Sequence, residues 1–171
     1  MAHSTEEEVA RSFICFGGPD AVVVVCDATC LERNLNLVLQ TIEISSRVVV
    51  CVNLMDEAKR KNIRLDLPLI SKRLGVPVVG ATARKKKTLD EMMNALDGVV
   101  SGEIKTSPLT VVYPEAVEEA VARLEPVVRE KAEGKLNSRW LSLKLLDADE
   151  SLIREIDAYL GEEFLKDEEL V

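Results

Sequence analysis

No apolar run in this 171-residue chain approaches the roughly 18 residues needed to cross a bilayer. The longest runs, Ala21–Cys26 and Val48–Val52, are strand-sized. The N-terminus carries no signal-peptide pattern, so a soluble, cytoplasmic chain is expected. Positive charge is also in short supply: the formal net charge is −8, which excludes the concentrated basic face of a nucleic-acid partner. The one basic run, Arg84-Lys85-Lys86-Lys87, reads as a solvated loop. None of the four cysteines, Cys15, Cys26, Cys30 and Cys51, forms a C-x-x-C pair. Cys26 and Cys51 fall inside apolar strands, as free buried thiols of a reducing compartment do. The single histidine, His3, joins no cluster with metal-ligand spacing. Internal repeats and low-complexity tracts are missing. So is a G-x-x-x-x-G-K-[ST] phosphate loop, and no D-x-x-G segment precedes the first strand.

What is present alternates. Ser4-Thr5-Glu6-Glu7 has the form of a capping box, with Ser4 as N-cap, ahead of a helix over about residues 5–15. Gly17-Gly18-Pro19-Asp20 breaks the chain, and Ala21–Cys26 follows as a β-branched run suited to a strand covered on both faces. Leu35, Val38, Leu39 and Ile42 share one helical face. Arg47–Val52 is a second buried strand. Leu67, Ile70 and Leu74 mark a helix closed by Gly75, and Pro77–Gly80 is a short third strand. Thr88-Leu89-Asp90-Glu91 forms a second capping box, opening a helix with Leu89, Met92, Met93 and Leu96 inward. This order predicts a parallel sheet with right-handed crossovers.

Ser101–Pro108 reads as a linker, and a helical region follows. The expected division is an α/β domain over residues 1–102 and an all-helical domain over 103–171. After a brief extended stretch at Leu109–Tyr113, Pro114 suits helix position N1. Val117, Val121, Leu124 and Val128 form a stripe that Pro126 is expected to kink or end. Asn137 is a plausible N-cap for a helix carrying Trp140, Leu141, Leu145 and Leu146. Leu152, Ile153, Ile156 and Leu160 mark a last helix before Gly161 and an acidic tail.

In an open parallel sheet, ligands bind outside the carboxyl ends of the strands. Those ends carry Asp27-Ala28-Thr29, then Asn53-Leu54-Met55-Asp56, then Ala81-Thr82-Ala83-Arg84. Asn-x-x-Asp after a buried strand puts an amide and a carboxylate on the rim. A carboxylate accepts from two adjacent N–H donors, which guanine offers at N1 and N2 and adenine does not. A site built around such donors rejects analogues that lack them, because its own polar atoms are then left unpaired. Thr82-Ala83 can offer a backbone N–H to the base oxygen. The bland alternatives are an N-cap for Asp56 and a turn residue for Asn53.

These segments together resemble the cytosolic N-terminal region of the ferrous iron transport protein B (FeoB) family. The resemblance rests on Asp27-Ala28-Thr29 with Leu31-Glu32-Arg33-Asn34-Leu35, on Asn53-Leu54-Met55-Asp56-Glu57-Ala58, on Leu74-Gly75-Val76-Pro77-Val78-Val79, and on Arg139-Trp140-Leu141-Ser142-Leu143-Lys144-Leu145-Leu146. It covers about residues 4–160. It implies a three-layer P-loop GTPase-like sheet of about three strands followed by a small helical regulatory domain. It implies guanine contacts at Asn53, Asp56, Thr82, Ala83 and Arg84, GTP or GDP as ligand, and regulation of Fe²⁺ uptake. The partner it implies is the transporter's membrane domain, at the cytoplasmic face of the inner membrane.

The chain departs from the family where Lys86 and Thr88 stand in place of glycines. By resemblance, the phosphate loop and the Mg²⁺ and switch motif fall upstream of Met1. A truncated base-recognition half without a Mg²⁺ site is therefore expected, binding nucleotide weakly and hydrolysing none. Its strand at Val22–Val25 is expected to present an unpaired edge that seals a homodimer. The alternative is a nucleotide-independent interaction module on a degenerate GTPase scaffold. A flavodoxin-like ligand domain, more remote, lacks a supporting phosphate loop.

Overall fold

The computed structural model describes residues 5–161 and residue 164. The Ser4 cap lies outside the described residues, as does most of the acidic tail. The chain divides into two compact units at Thr110/Val111.

The first unit contains α1 (Thr5–Phe16), β1 (Val22–Asp27), α2 (Leu31–Ile44), β2 (Val48–Asn53), α3 (Met55–Arg60), α4 (Leu67–Leu74), β3 (Val78–Gly80) and α5 (Lys86–Ser101). The three strands form one parallel sheet in the order β1-β2-β3, with Val22 opposite Val48 and Val50 opposite Val78. As the central strand, β2 buries Val48, Val49, Val50, Cys51 and Val52, as a strand with covered faces requires. On one face Val24, Cys26, Val48, Val50 and Val52 pack with Val38 and Ile42 of α2 and Leu74 of α4, while α5 packs on β2 and β3. The edge strand β1 alternates instead, burying Val24 and Cys26 and leaving Val25 61% exposed.

Residues 103–109 are a strap bound to this unit rather than a free linker. Ile104 N–H donates to Gly98 O (2.8 Å), Ser107 N–H to Gly75 O (2.9 Å), and Leu109 N–H to Leu74 O (2.9 Å). Thr106 Oγ1 donates to Ser46 O (2.6 Å). Gly75 is required twice over. It closes α4 in the left-handed region (φ 70), and a Cβ there would meet Ser107 O at 1.8 Å. The capping box expected at Thr88 does not open α5. That helix starts at Lys86 with Lys85 as an N-cap that makes no side-chain bond. Thr88 sits in the first turn, and its hydroxyl is committed to the preceding loop.

The second unit contains α6 (Glu115–Lys131), α7 (Ser138–Asp147) and α8 (Glu150–Leu160). Val121, Val128, Trp140, Leu141, Leu152 and Ile156 are among its buried side chains. Leu109–Tyr113 forms no strand, and Pro114 takes the N-cap of α6 rather than N1. Pro126 does not end α6, which runs through to Lys131. Proline removes the donor that would bond the carbonyl four residues back. Here that carbonyl belongs to Ala122, and both residues are exposed, so water can serve it. Asn137 caps α7 as expected, its Oδ1 accepting from Trp140 N–H at 2.9 Å.

Candidate functional site

The strand ends converge on one rim because the sheet is parallel and its ladder continues past the strands. Ala28 N–H donates to Asn53 O, Ala81 N–H to Val52 O, and Met55 N–H to Ala81 O (2.9, 2.8 and 3.1 Å). Leu54 turns the chain from β2 into α3 in the left-handed region (φ 62). A branched residue held there costs roughly 1–3 kcal/mol, and such strain gathers at functional turns.

Asn53 and Asp56 share this rim, and neither caps its own helix. The N-cap of α3 is Leu54, without a side-chain bond. Asn53 Oδ1 instead accepts Ala83 N–H (3.1 Å) from a residue thirty positions later, joining the second and third strand ends. Asp56 is half-buried. Its Oδ2 lies 3.5 Å from the Arg84 guanidinium, and its Oδ1 is covered without a hydrogen-bond partner. Thr82 is buried, while Ala83 and Arg84 are exposed. All five predicted residues therefore fall on one rim, where two backbone donors are already used. Thr82 N–H donates to Thr88 Oγ1 (3.1 Å) and Ala83 N–H to Asn53 Oδ1.

The first strand end is closed on itself. Asp27 Oδ1 accepts Thr29 N–H (2.7 Å), and Asn34 Oδ1 accepts Asp27 N–H (2.8 Å). The bond from Thr29 is the main reason the Asp27 carboxyl is held below its ordinary value. Sequence reasoning missed Thr88, which ties the loop, and Lys59, Arg60 and Lys85. These three line, with Met55, Asp56 and Thr82, an open depression of about 480 Å³. No spacing rule singles them out, because loop closure brings them together. Among the described residues, no group of three or more His, Cys, Asp or Glu is placed to hold a metal ion. No helix among the described residues is long and apolar enough to cross a membrane.

A three-stranded parallel sheet layered by helices, polar at its strand ends and followed by a helical unit, has the architecture of a GTPase-type domain joined to a helical one. The comparisons agree. Residues 1–96 match the family model of ferrous iron transport protein B, and residues 113–170 match that of the FeoB cytosolic helical domain. The chain belongs to the ferrous iron transport protein B family. It is 32% identical over 165 residues to an Fe(2+) transport protein A/Fe(2+) transporter FeoB fusion protein of Porphyromonas gingivalis, covering 94% of this chain and 19% of that one. It is 31% identical over 146 residues to the Fe(2+) transporter FeoB of Escherichia coli strain K12, covering 85% and 18%. The chain thus spans about a fifth of the curated relatives it matches. The cytosolic domain of T. maritima FeoB in a GDP form superimposes with a TM-score of 0.78 at 27% identity, covering 96% of this chain and 66% of that one. The GMPPNP form of the same domain gives 0.78 at 27%, covering 92% and 62%.

Proposed function

We propose that this chain forms the guanine-recognition part of a ferrous iron transporter of its family. Asp56 accepts the base N1–H and N2–H, Asn53 contributes its amide donors, and the Thr82-Ala83-Arg84 loop meets the base oxygen. The observation that carries this is the Asn53–Ala83 bond across two strand ends, one turn from a carboxylate that does not cap its own helix. The GDP and GMPPNP forms of the T. maritima domain support it.

The 171 residues contain no phosphate loop. Much of a nucleotide's affinity comes from charge-assisted bonds to its phosphates. Alone, then, the chain binds GDP weakly, holds no Mg²⁺ on it, and hydrolyses no GTP. Turnover above a no-protein control would overturn that last statement. Within the whole transporter, this region would regulate Fe²⁺ uptake on the cytoplasmic side through the membrane domain. We also assign regulatory work to the helical region and base recognition to the α/β region.

β1 is an edge strand, and Val25 projects from it 61% exposed. Such an edge accepts a strand from another chain, so a homodimer sealed at Val22–Val25 is expected.

One observation favours the nucleotide-independent reading: Arg84 lies on Asp56, so the rim's carboxylate is partly satisfied from within the chain. Calorimetry with GDP and ADP separates the two. Preference for GDP supports base recognition, and equal or absent binding supports an interaction module.

A further inference from the structure

The loop after β3 runs into Lys86 and Thr88 and closes tightly. Thr88, in the first turn of α5, closes it. Its hydroxyl accepts Thr82 N–H (3.1 Å) and has its one proton within reach of two carbonyls, Lys85 O (2.8 Å) and Thr82 O (3.0 Å). A hydroxyl offers one donor and two acceptor lone pairs, so Thr88 both accepts from and donates to the loop backbone. Lys85 N–H adds a bond to Thr82 O (2.7 Å) and Thr88 N–H one to Lys85 O (3.0 Å). The residues held in this way, 82 to 85, carry the Ala83 N–H on Asn53 and the Arg84 side chain on Asp56.

We infer that Thr88 is a positioning residue for base recognition, setting the loop backbone that meets the oxygen-bearing edge of the base. This rests on the guanine reading above. The role belongs to the hydroxyl and not to the bulk of the side chain. Serine therefore substitutes for threonine, and valine, of nearly the same shape, does not.

Base analogues probe the edge in parts. Hypoxanthine keeps the oxygen and N1–H and lacks N2, whereas 2-aminopurine keeps N2 and lacks the oxygen together with the N1 proton, so the Thr88 contribution is read as the change in each ratio between variants. Dissociation constants for GDP, inosine diphosphate and 2-aminopurine riboside diphosphate would be measured by ligand-observed NMR on the full chain, for the unaltered protein, T88V, T88S and D56N. Thr88→Val should lower the preference for GDP over the 2-aminopurine nucleotide about fivefold, the effect of one ordinary hydrogen bond. It should leave the preference over inosine diphosphate in place. T88S should behave as the unaltered chain, and D56N should instead collapse the preference over inosine diphosphate.

Amide exchange without ligand supplies the second readout. T88V should speed exchange at Thr82 and Lys85 at least about tenfold while β2 amides stay protected. If the unaltered chain shows no guanine preference, the base reading fails and this inference falls with it. If that preference stands and T88V moves neither ratio, or moves both equally, the positioning role alone is overturned. Unchanged exchange in the loop, or exchange raised throughout β2, overturns it as well.

Discussion

Helix starts at the rim differ from most of those elsewhere. In the helical unit, Asn137 caps α7 and Asp149 caps α8, each side chain accepting backbone N–H groups of the first turn, while α6 follows Pro114 without a side-chain bond. In the α/β unit, Asp66 does the same for α4, which leads into β3. The helices that begin at the strand carboxyl ends have no such cap. The N-cap of α2 is Cys30, of α3 Leu54 and of α5 Lys85, none with a side-chain bond. A helix start leaves orphan N–H donors that a capping side chain can satisfy. The three rim helices forgo that stabilisation.

One ion pair from each unit makes a second contrast. Arg139 clasps Glu118 with two bonds (2.7 and 2.9 Å) and also donates to Val111 O (2.8 Å), while Tyr113 N–H donates to Glu118 Oε1 (2.8 Å). This closed network fixes the segment entering the helical unit. On the rim, Arg84 meets Asp56 by a single 3.5 Å contact, leaving the other carboxylate oxygen unbonded. A bidentate, partly enclosed pair is a structural element, whereas a loose exposed one contributes little to stability.

The largest effect expected is on the helical core. Leu141→Ala removes a fully buried side chain and should cost about 3 kcal/mol. Trp140, the single tryptophan, lies beside it and reports that unit's unfolding by fluorescence. A loss below 1 kcal/mol would mean this core is looser than described. Next comes Asp56→Asn, which should reduce the preference for GDP over inosine diphosphate about tenfold or more while leaving the melting temperature nearly unchanged. A melting shift with unaltered preference would make Asp56 structural.

The capping contrast is sharpened by Lys85→Ser. Giving α5 a cap should stabilise the α/β unit by about 1 kcal/mol in denaturant titrations and weaken GDP binding by drawing on rim donors. A gain in both would break the contrast, and Asn137→Ala should cost about 1 kcal/mol in the other unit without touching binding. Acid tests the clasp. Bonds from Arg139 and then from Tyr113 N–H hold Glu118 down from 4.5 to about 2. A depressed carboxyl stabilises the fold fully above its unfolded value, and this is lost as pH falls from about 4.5 toward 2. Glu118→Gln should flatten that decline in Trp140-monitored stability. Asp27 shifts in the same direction in the other unit, so a global probe would blur the result. The smallest effect on stability is expected for Val25→Lys, within about 0.5 kcal/mol, yet light scattering should show a smaller species if the β1 edge seals a dimer.

Residues 22–26 and 48–52 could be read as parallel strands because valine runs have few other uses in a charged chain, but only 48–52 is buried on both faces, since 22–26 forms an edge with Val25 exposed. Gly75 and Asn137 were legible because αL closure and N-capping are local chemistry. The rim residues were legible because parallel topology places strand ends together. The start of α5 was misjudged because a Thr-x-x-Glu pattern is local, whereas Thr88 answers to Thr82 across a loop. Residues 103–109 were misjudged because their small and breaking residues say nothing of the carbonyls at Gly75 and Leu74 that they bind.

Sequence by itself determined the alternation of strand and helix, the family, and the presence of an amide and an acid after the second strand, since these depend on period and short motifs. Tertiary structure alone decided that Asn53 is spent on Ala83, that Arg84 rests on Asp56, and that a threonine hydroxyl closes the loop after β3. Those are contacts between residues brought together by folding, and a hydrogen bond is set by distance and angle in space rather than by position along the chain.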